Sequence, residues 1–478
     1  MTPQTPQGGH VFDLALHETV QFTLSTGTHT IQLLEVREPR CSVRGLIRFP
    51  SILVNINGEQ AEIPAGLYHM PQIVNGVKIG CSVTRGVALA VGKHLDVYAL
   101  DKDARIRCWA PSDPLFGPEP LVYPAKQTWF ATMTQMANER TYVDGGELPP
   151  QDPNGYIYHH YGMDIGGHDK AVPIIAARGG LVVVHGENCI DAQHLIRYDR
   201  VVVKDDAGWY FLYSHLDMIA PNIVLGERVN PGDWIGILGK EGASGGWSHL
   251  HFGITSPQPS GCDGQVEGYP FLVESYLHEH PGVLLACARP HRVAAVGEPL
   301  TLDGSRSICD GSAITSYQWT LHTGQTVKGP KATITYDREG LYSECLTVTD
   351  ARGQTDIDFC PVYIMPKDAS PDKTPPSMHL TYFPTNNLRP GQPIAFKVRT
   401  FFRGPFADNK SGLEHWNFGD GTTATSRSDT KTRVPAATDT DFDERWHVYD
   451  KPGCYIVTVT RTGKNDRTAT AQVKVNVS

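Results

Sequence analysis

Three short segments of the 478-residue chain bring imidazoles together with a carboxylate: YHHYGMDIGG (158–167), WYFLYSHL (209–216) and SHLHFGI (248–254). His160 and Asp164 stand four residues apart, but the Tyr and Gly around them disfavour a helix. The pair is therefore expected at a strand end and the bend that follows. His249 and His251 flank Leu250 in an apolar alternating run, and a period of two turns both rings to one face of a sheet. Two imidazoles and one carboxylate form a neutral-plus-anionic donor set suited to Zn²⁺, which in hydrolytic centres takes three protein ligands and keeps one position open. Such a metal lowers the pKa of its water to about 7 and polarises the attacked carbonyl. His160, Asp164 and one of the His249/His251 pair fill that count. The other imidazole and His215 are left for proton transfer, and spacing alone does not choose between the two members of the pair.

The order H-x-x-x-D, then Y-x-H-L, then H-L-H-F resembles the LytM/lysostaphin-type zinc endopeptidases, the M23 family. GERVNPGDWIGILGKEGASGGWSHLHF (226–252) also resembles that family's glycine-rich approach to its final motif. The resemblance covers roughly residues 155–256. It implies that His160, Asp164 and His251 are the ligands of a Zn²⁺ cofactor, that His249 is the general base on the metal-activated water, and that His215 bonds the oxyanion or orients that water. Both proton-handling roles are physically sensible, because imidazole titrates near neutral pH and one oxyanion donor is worth about 2.7–4 kcal/mol. All five positions are kept, which argues against a non-catalytic member. The family implies peptidoglycan cross-bridges or stem peptides as substrate. Two departures bear on specificity, since loops flanking a cleft select what enters it. TYVDGGELPPQDPNGYIYH (141–159) is longer than the family's usual approach, and ENCIDAQHLIRYDR (187–200) reads as an expanded loop.

The elements that must position these residues are strands. With 47 Gly, 35 Pro, 40% apolar and 9% aromatic residues, the composition points to many short strands and several packed cores, and argues against a helical bundle or a disordered chain. The expected fold class is mainly β and multi-domain: an antiparallel β-sheet metallopeptidase domain with a zinc cleft, flanked by β-sandwich domains. Alternating runs over 1–108 read as a β-sandwich-like domain, and WAPSDPLFGPEPLVYP (109–124), with five prolines, as a stiff extended linker. Residues 125–281 form the peptidase domain, with one helix expected around 127–140.

A diverged repeat follows at 282–365 and 377–478, separated by a Pro-rich linker at 366–376. ITSYQWTLHTGQTV and EGLYSECLTVTDARGQTD in the first copy answer to LEHWNFGDGTTAT and HVYDKPGCYIVTVT in the second. Both copies resemble the polycystic-kidney-disease (PKD) domain. The W-x-F-G-D-G turn is intact at Trp416–Gly421, whereas the first copy has Trp319-Thr-Leu-His-Thr-Gly and rests on its downstream LTVTD. By analogy the modules act as spacers or bind polysaccharide or a protein matrix. Trp319 and Trp416 are expected in the module cores, and Asp420 in a turn.

A net charge of −9 lacks the broad positive field that non-specific nucleic-acid binding needs. No apolar run approaches the roughly 20 residues of a membrane span. The first residues have none of the features of a secretory signal, while the resemblance implies an extracellular, periplasmic or cell-wall setting. None of the ten cysteines forms a CxxC pair, so a four-thiolate zinc site is not expected. Cys287, Cys309, Cys345 and Cys360 lie close together in a small β domain, where disulfides are expected. His159, His168, His185, His194, His278 and His280 have no partner at ligand spacing and read as structural; Trp247 and Tyr213 suit either the cleft wall or the core. Two other functions fit the same residues: a protease acting on other proteins, and a non-catalytic surface-binding protein with a structural zinc site.

Overall fold

The computed structural model describes the chain except for residues 1–5, 44, 46, 90–96, 138–139, 143–156, 190–196, 243, 367–374, 402–411, 429–441 and 464–465. At its centre β1 (Met163–Gly166), β2 (Gly180–His185), β3 (Val201–Lys204), β4 (Tyr210–Ser214), β5 (Arg228–Val229), β6 (His249–Pro257) and β7 (Asp263–Gln265) form one sheet. Its order is β1-β6-β4-β3-β2-β5, with β7 on the far end of β6, and every pairing is antiparallel. Period two sorts the side chains of β6: Leu250, Phe252 and Ile254 enter the core with Phe211 and Tyr213 of β4, which leaves His249 and His251 for the opposite face. A second, three-stranded sheet of Pro173–Ile175, Leu216–Ile219 and Trp234–Leu238 contributes Ile174, Ile235 and Leu238 to the same core.

The proline-rich stretch after Trp109 is packed into this core. Leu115, Phe116, Leu121 and Tyr123 are buried, and Phe116 meets Trp209 edge-on at 5.2 Å. The Glu274 carboxylate accepts the backbone N–H groups of Leu115 and Phe116 at 2.6 and 3.0 Å. Glu274 belongs to a helix, Tyr269–Glu279, that the sequence reading did not anticipate; Pro270 opens it, in a position where a missing N–H costs nothing. The helix expected around 127–140 is absent from its described part. Residues 132–134 form a bend and turn there instead, Met136 bridges Asp164, and the buried Arg289 guanidinium donates to the carbonyls of Thr132, Met133 and Gln135. Tertiary bonds to these carbonyls replace the intrahelical ones that a Thr-rich segment forms poorly.

Residues 10–109 carry two four-stranded sheets closed over Leu14, Ile31, Val54, Ile79 and Ile106. Beyond 284 the repeat is visible as equivalent pairings. The Trp319 strand (Ile314–Thr320) lies between Thr326–Lys328 and Gly340–Asp350, as the Trp416 strand (Glu414–Asn417) lies between Thr423–Ser426 and Gly453–Thr462. Both tryptophans are buried, and Asp420 accepts the Thr422 N–H within its turn. Gly340 and Leu341 pair in parallel with Thr468 and Ala469, so the two copies share one continuous sheet. The linker expected at 366–376 falls mostly outside the described residues. Cys287, Cys309, Cys345 and Cys360 are all thiols, which corrects the expectation of disulfides. Buried thiols satisfy the same packing role as a small apolar residue. Among the described residues no helix is long and apolar enough to cross a membrane.

Candidate metal and hydrolytic centre

The chain folds back between His160 and Asp164 through Gly162, whose φ of +92° is open to glycine and strained for other residues. A Cβ there would stand 3.0 Å from the Phe252 carbonyl and 3.2 Å from the His251 ring, so the turn needs glycine on both counts. β1 then sets Asp164 opposite His251 and Gly166 opposite His249, and β4 sets Ser214 opposite His251. The next residue, His215, leaves the strand with φ +69°. That conformation costs about 1–3 kcal/mol in a non-glycine residue. It is held by bonds on three sides: the His215 N–H donates to Asp199 at 2.9 Å, its carbonyl accepts from Gly239 at 3.1 Å, and its Nδ1–H donates to the Glu241 carbonyl at 2.7 Å.

The structure brings the expected residues together. One ligand atom from each of His160, Asp164 and His251 lies within 4.8 Å of the others. His160 Nε2 is 2.9 Å and His251 Nδ1 is 2.8 Å from Asp164 Oδ1, and the two nitrogens are 3.3 Å apart. Tetrahedral zinc bonds of about 2.0–2.1 Å place ligand atoms roughly 3.3 Å from one another, so the donor set is close to the required size. Its hydrogen bonding points the same way. His160 donates Nδ1–H to the Ala137 carbonyl at 2.8 Å, which turns its Nε2 toward the Asp164 carboxylate. His160 and Asp164 are almost fully buried, and a carboxylate between two imidazoles in such a site is a donor set that could hold a cation.

His249 and His215 border this cluster. His249 Nε2 is 3.5 Å from Asp164 Oδ2, its Nδ1–H donates to the Trp247 carbonyl at 3.0 Å, and its ring is 4.7 Å from that of His215. Burial pushes His249 well below the usual imidazole range, against the pull of Asp164, and lowers His251 in the same sense. Both rings are therefore neutral at physiological pH, with lone pairs to offer. Burial alone pushes the Asp164 carboxyl up, but the imidazoles of His160 and His249 and the hydrogen bonds of His160 and His251 hold it well below the carboxylate range.

Several supporting residues escaped the sequence reading. Asp199 accepts from Arg197, from the Ser214 hydroxyl and from His215. Arg197 and Asp199 lay in the stretch read only as an expanded loop. Trp247 stacks on His249 at 3.8 Å with planes 17° apart, which places it at the centre, whereas Tyr213 is core and its hydroxyl accepts the Ala177 N–H. His379, some 130 residues further on, bonds Ser248; nothing in its local sequence signals that contact.

Residues 158–261 match the family model of peptidase family M23, and residues 285–359 match that of the PKD domain. The chain thus carries a peptidase-type segment followed by a β module. More particularly, its middle region is an M23 peptidase domain, with a PKD domain directly after it. Among solved structures, lysostaphin, the antimicrobial peptidase from Staphylococcus simulans, aligns at 20% identity over 48% of this chain and 89% of its own, with a TM-score of 0.20. The catalytic domain of a prophage-encoded M23 protein from Enterococcus faecalis aligns at 23% identity over 26% of this chain and 85% of its own, with a TM-score of 0.18. The PKD domain of an M14-like peptidase from a Thermoplasmatales archaeon aligns at 21% identity over 22% of this chain and 95% of its own, with a TM-score of 0.16. No curated protein sequence matches the chain.

Proposed function

We propose that the protein is a Zn²⁺-dependent endopeptidase that opens peptide bonds of bacterial peptidoglycan. The observation that carries this reading is the buried convergence of one ligand atom each from His160, Asp164 and His251 within 4.8 Å. These three residues would hold the metal. Zn²⁺ bound there supplies a Lewis acid that makes hydroxide available near neutral pH. His249 takes up the proton of the attacking water on Nε2, because its other nitrogen is spent on Trp247 and burial keeps the ring neutral. His215 has its Nδ1–H fixed on Glu241, with Asp199 at 3.4 Å, so its Nε2 accepts from the attacking water and orients it; the proton taken up by His249 passes to the leaving amine. On this reading the sequence-based division is kept: an N-terminal domain (1–108), the peptidase (125–281) and two modules (282–365 and 377–478) that engage polysaccharide or a protein matrix. The setting is extracellular, periplasmic or cell-wall associated.

The test is turnover of purified peptidoglycan, a Gly-rich peptide and casein, each with and without chelator. New amino groups from peptidoglycan, abolished by chelation and restored by Zn²⁺, are the expected result. Casein cleavage with peptidoglycan untouched redirects the reading to protein substrates. No hydrolysis with zinc bound leaves a surface-binding protein.

A further inference from the structure

The C-terminal module is fastened to the peptidase next to its hydrolytic centre. Its strands β8 (Ser377–Phe383), β9 (Pro393–Phe401) and β10 (Asp443–Val448) form a three-stranded sheet. Period two sends Met378, Leu380 and Tyr382 of β8 into the module core and His379, Thr381 and Phe383 to the other face. That second face meets the peptidase. Phe383 stacks on His168, Lys397 Nζ donates to the Asp169 carbonyl, and Arg399 donates to the Gly246 carbonyl. Gly246 and Gly245, both in the left-handed region, belong to the stretch that leads into His249.

His379 is the polar centre of this contact. It is buried, its Nε2 is 3.0 Å from Ser248 Oγ and its Nδ1 is 2.7 Å from Thr134 Oγ1. Ser248 already donates its hydroxyl hydrogen to the Gly167 carbonyl at 2.7 Å, so Ser248 Oγ accepts from His379 Nε2–H. Burial keeps His379 neutral at physiological pH, with its pKa lowered to about 3. Its Nδ1 is then an acceptor and takes the Thr134 hydroxyl hydrogen. Both ring nitrogens are used and the ring has one orientation. Its edge lies against Trp247, with ring centroids 5.3 Å apart and planes at 74°, and Trp247 in turn stacks on His249.

We infer that His379 is a positioning residue of the peptidase: from the last β module it fixes Ser248 and Trp247, and through them the ring plane of His249. The inference rests on His249 being the proton acceptor proposed above. It makes the module a wall of the hydrolytic site, whatever else the module binds.

Two substitutions test it in the full chain. In His379→Gln the amide nitrogen reaches the place of Nε2 and still donates to Ser248. In His379→Asn the shorter amide reaches only Thr134. Expected for Asn is a fall in kcat of about tenfold, the low end for residues that orient an active imidazole, with KM and zinc content unchanged. Amide hydrogen exchange over 244–249 should rise about tenfold in the same variant. Gln should restore most of both, and Ser248→Ala should reproduce the Asn result. Equal behaviour of Gln and Asn, or wild-type kcat and exchange in Asn, overturns the inference. If the wild-type chain hydrolyses no substrate, the peptidase reading fails by itself, while the exchange contrast between Gln and Asn still decides whether His379 fixes this stretch.

Discussion

The two imidazoles that flank the metal cluster are secured in different ways. His215 is held from within the peptidase: Asp199, pinned by Arg197 and Ser214, accepts its N–H, and Glu241 takes its Nδ1–H. His249 is held by the Trp247 carbonyl and ring, and Trp247 and Ser248 are in turn braced by His379 of another module. The first arrangement is ionic and local, with a net positive partner behind the carboxylate. The second is built from stacking and neutral hydrogen bonds, and it spans the chain. The ionic brace fixes the His215 backbone and ring through a buried charge pair, whereas the stacked one fixes the His249 ring through packing and neutral bonds. That difference fits the roles proposed for the two rings, a water-orienting acceptor on one flank and a general base on the other.

Removal of the candidate centre between the two flanks gives the largest expected effect. His160→Ala or His251→Ala should lose bound zinc, measured by metal analysis, and all measurable hydrolysis with it. Removing either flank should leave the metal. For His215→Ala and His249→Ala, zinc content should stay at one per chain while kcat falls about 10²–10⁴-fold, the usual worth of a proton-transfer group. Full activity in His215→Ala would show that only one flank is used.

The grouping of the candidate centre was largely legible in the sequence, because its residues sit in short motifs whose local geometry brings them together. Period two in HLHF places His249 and His251 on one face, and Gly162 turns the chain between His160 and Asp164. Family resemblance pointed to His251 over His249 where spacing left the choice open, and it is His251 that groups with His160 and Asp164. The braces were not legible, for a physical reason. Asp199 and His379 act through contacts 16 and 131 residues distant in sequence, and a lone His in an alternating strand carries no sign of which domain faces it. The same limit explains the helix misplaced to 127–140. Its apolar pattern is real, with Trp129, Met133 and Ala137 all buried, but Arg289 from the following module captures the carbonyls that a helix would need. The disulfide expectation failed because cysteine density in a small domain reports burial as readily as oxidation.

The ionic brace should respond more strongly than the stacked one. Asp199→Asn keeps an acceptor for the His215 N–H but removes the charge facing buried Arg197. Kinetically, kcat should fall about 10–100-fold, as for other residues that orient an active imidazole. Thermodynamically, the uncompensated guanidinium should cost about 3 kcal/mol, seen in urea unfolding at neutral pH. This second effect has a defined pH dependence. Burial alone would raise the Asp199 carboxyl, but hydrogen bonds from His215 and Arg197 hold it well below its usual range. Its contribution is complete above the unfolded value of about 3.9 and is lost as pH falls toward the depressed native value. The stability gap between wild type and Asp199→Asn should therefore narrow below about pH 4; a constant gap would mean that packing, and not charge, secures His215.

The smallest effect is expected on the other flank. Trp247→Leu removes the stack on His249 while keeping an apolar side chain and the backbone carbonyl that takes the His249 Nδ1–H. A stacked ring pair is worth about 0.5–1.5 kcal/mol beyond its buried area, which corresponds to roughly a 2- to 12-fold loss of kcat if the whole contribution is felt in the transition state. No carboxylate is involved, so the ratio of variant to wild-type stability should be flat with pH, unlike that of Asp199→Asn. Combining Trp247→Leu with His379→Asn separates a serial brace from two independent ones. If His379 acts on His249 through Trp247, the double variant should lose little more than the worse single variant. If the losses multiply, His379 reaches His249 through the Ser248 backbone alone, and the stacked ring is a second, separate support.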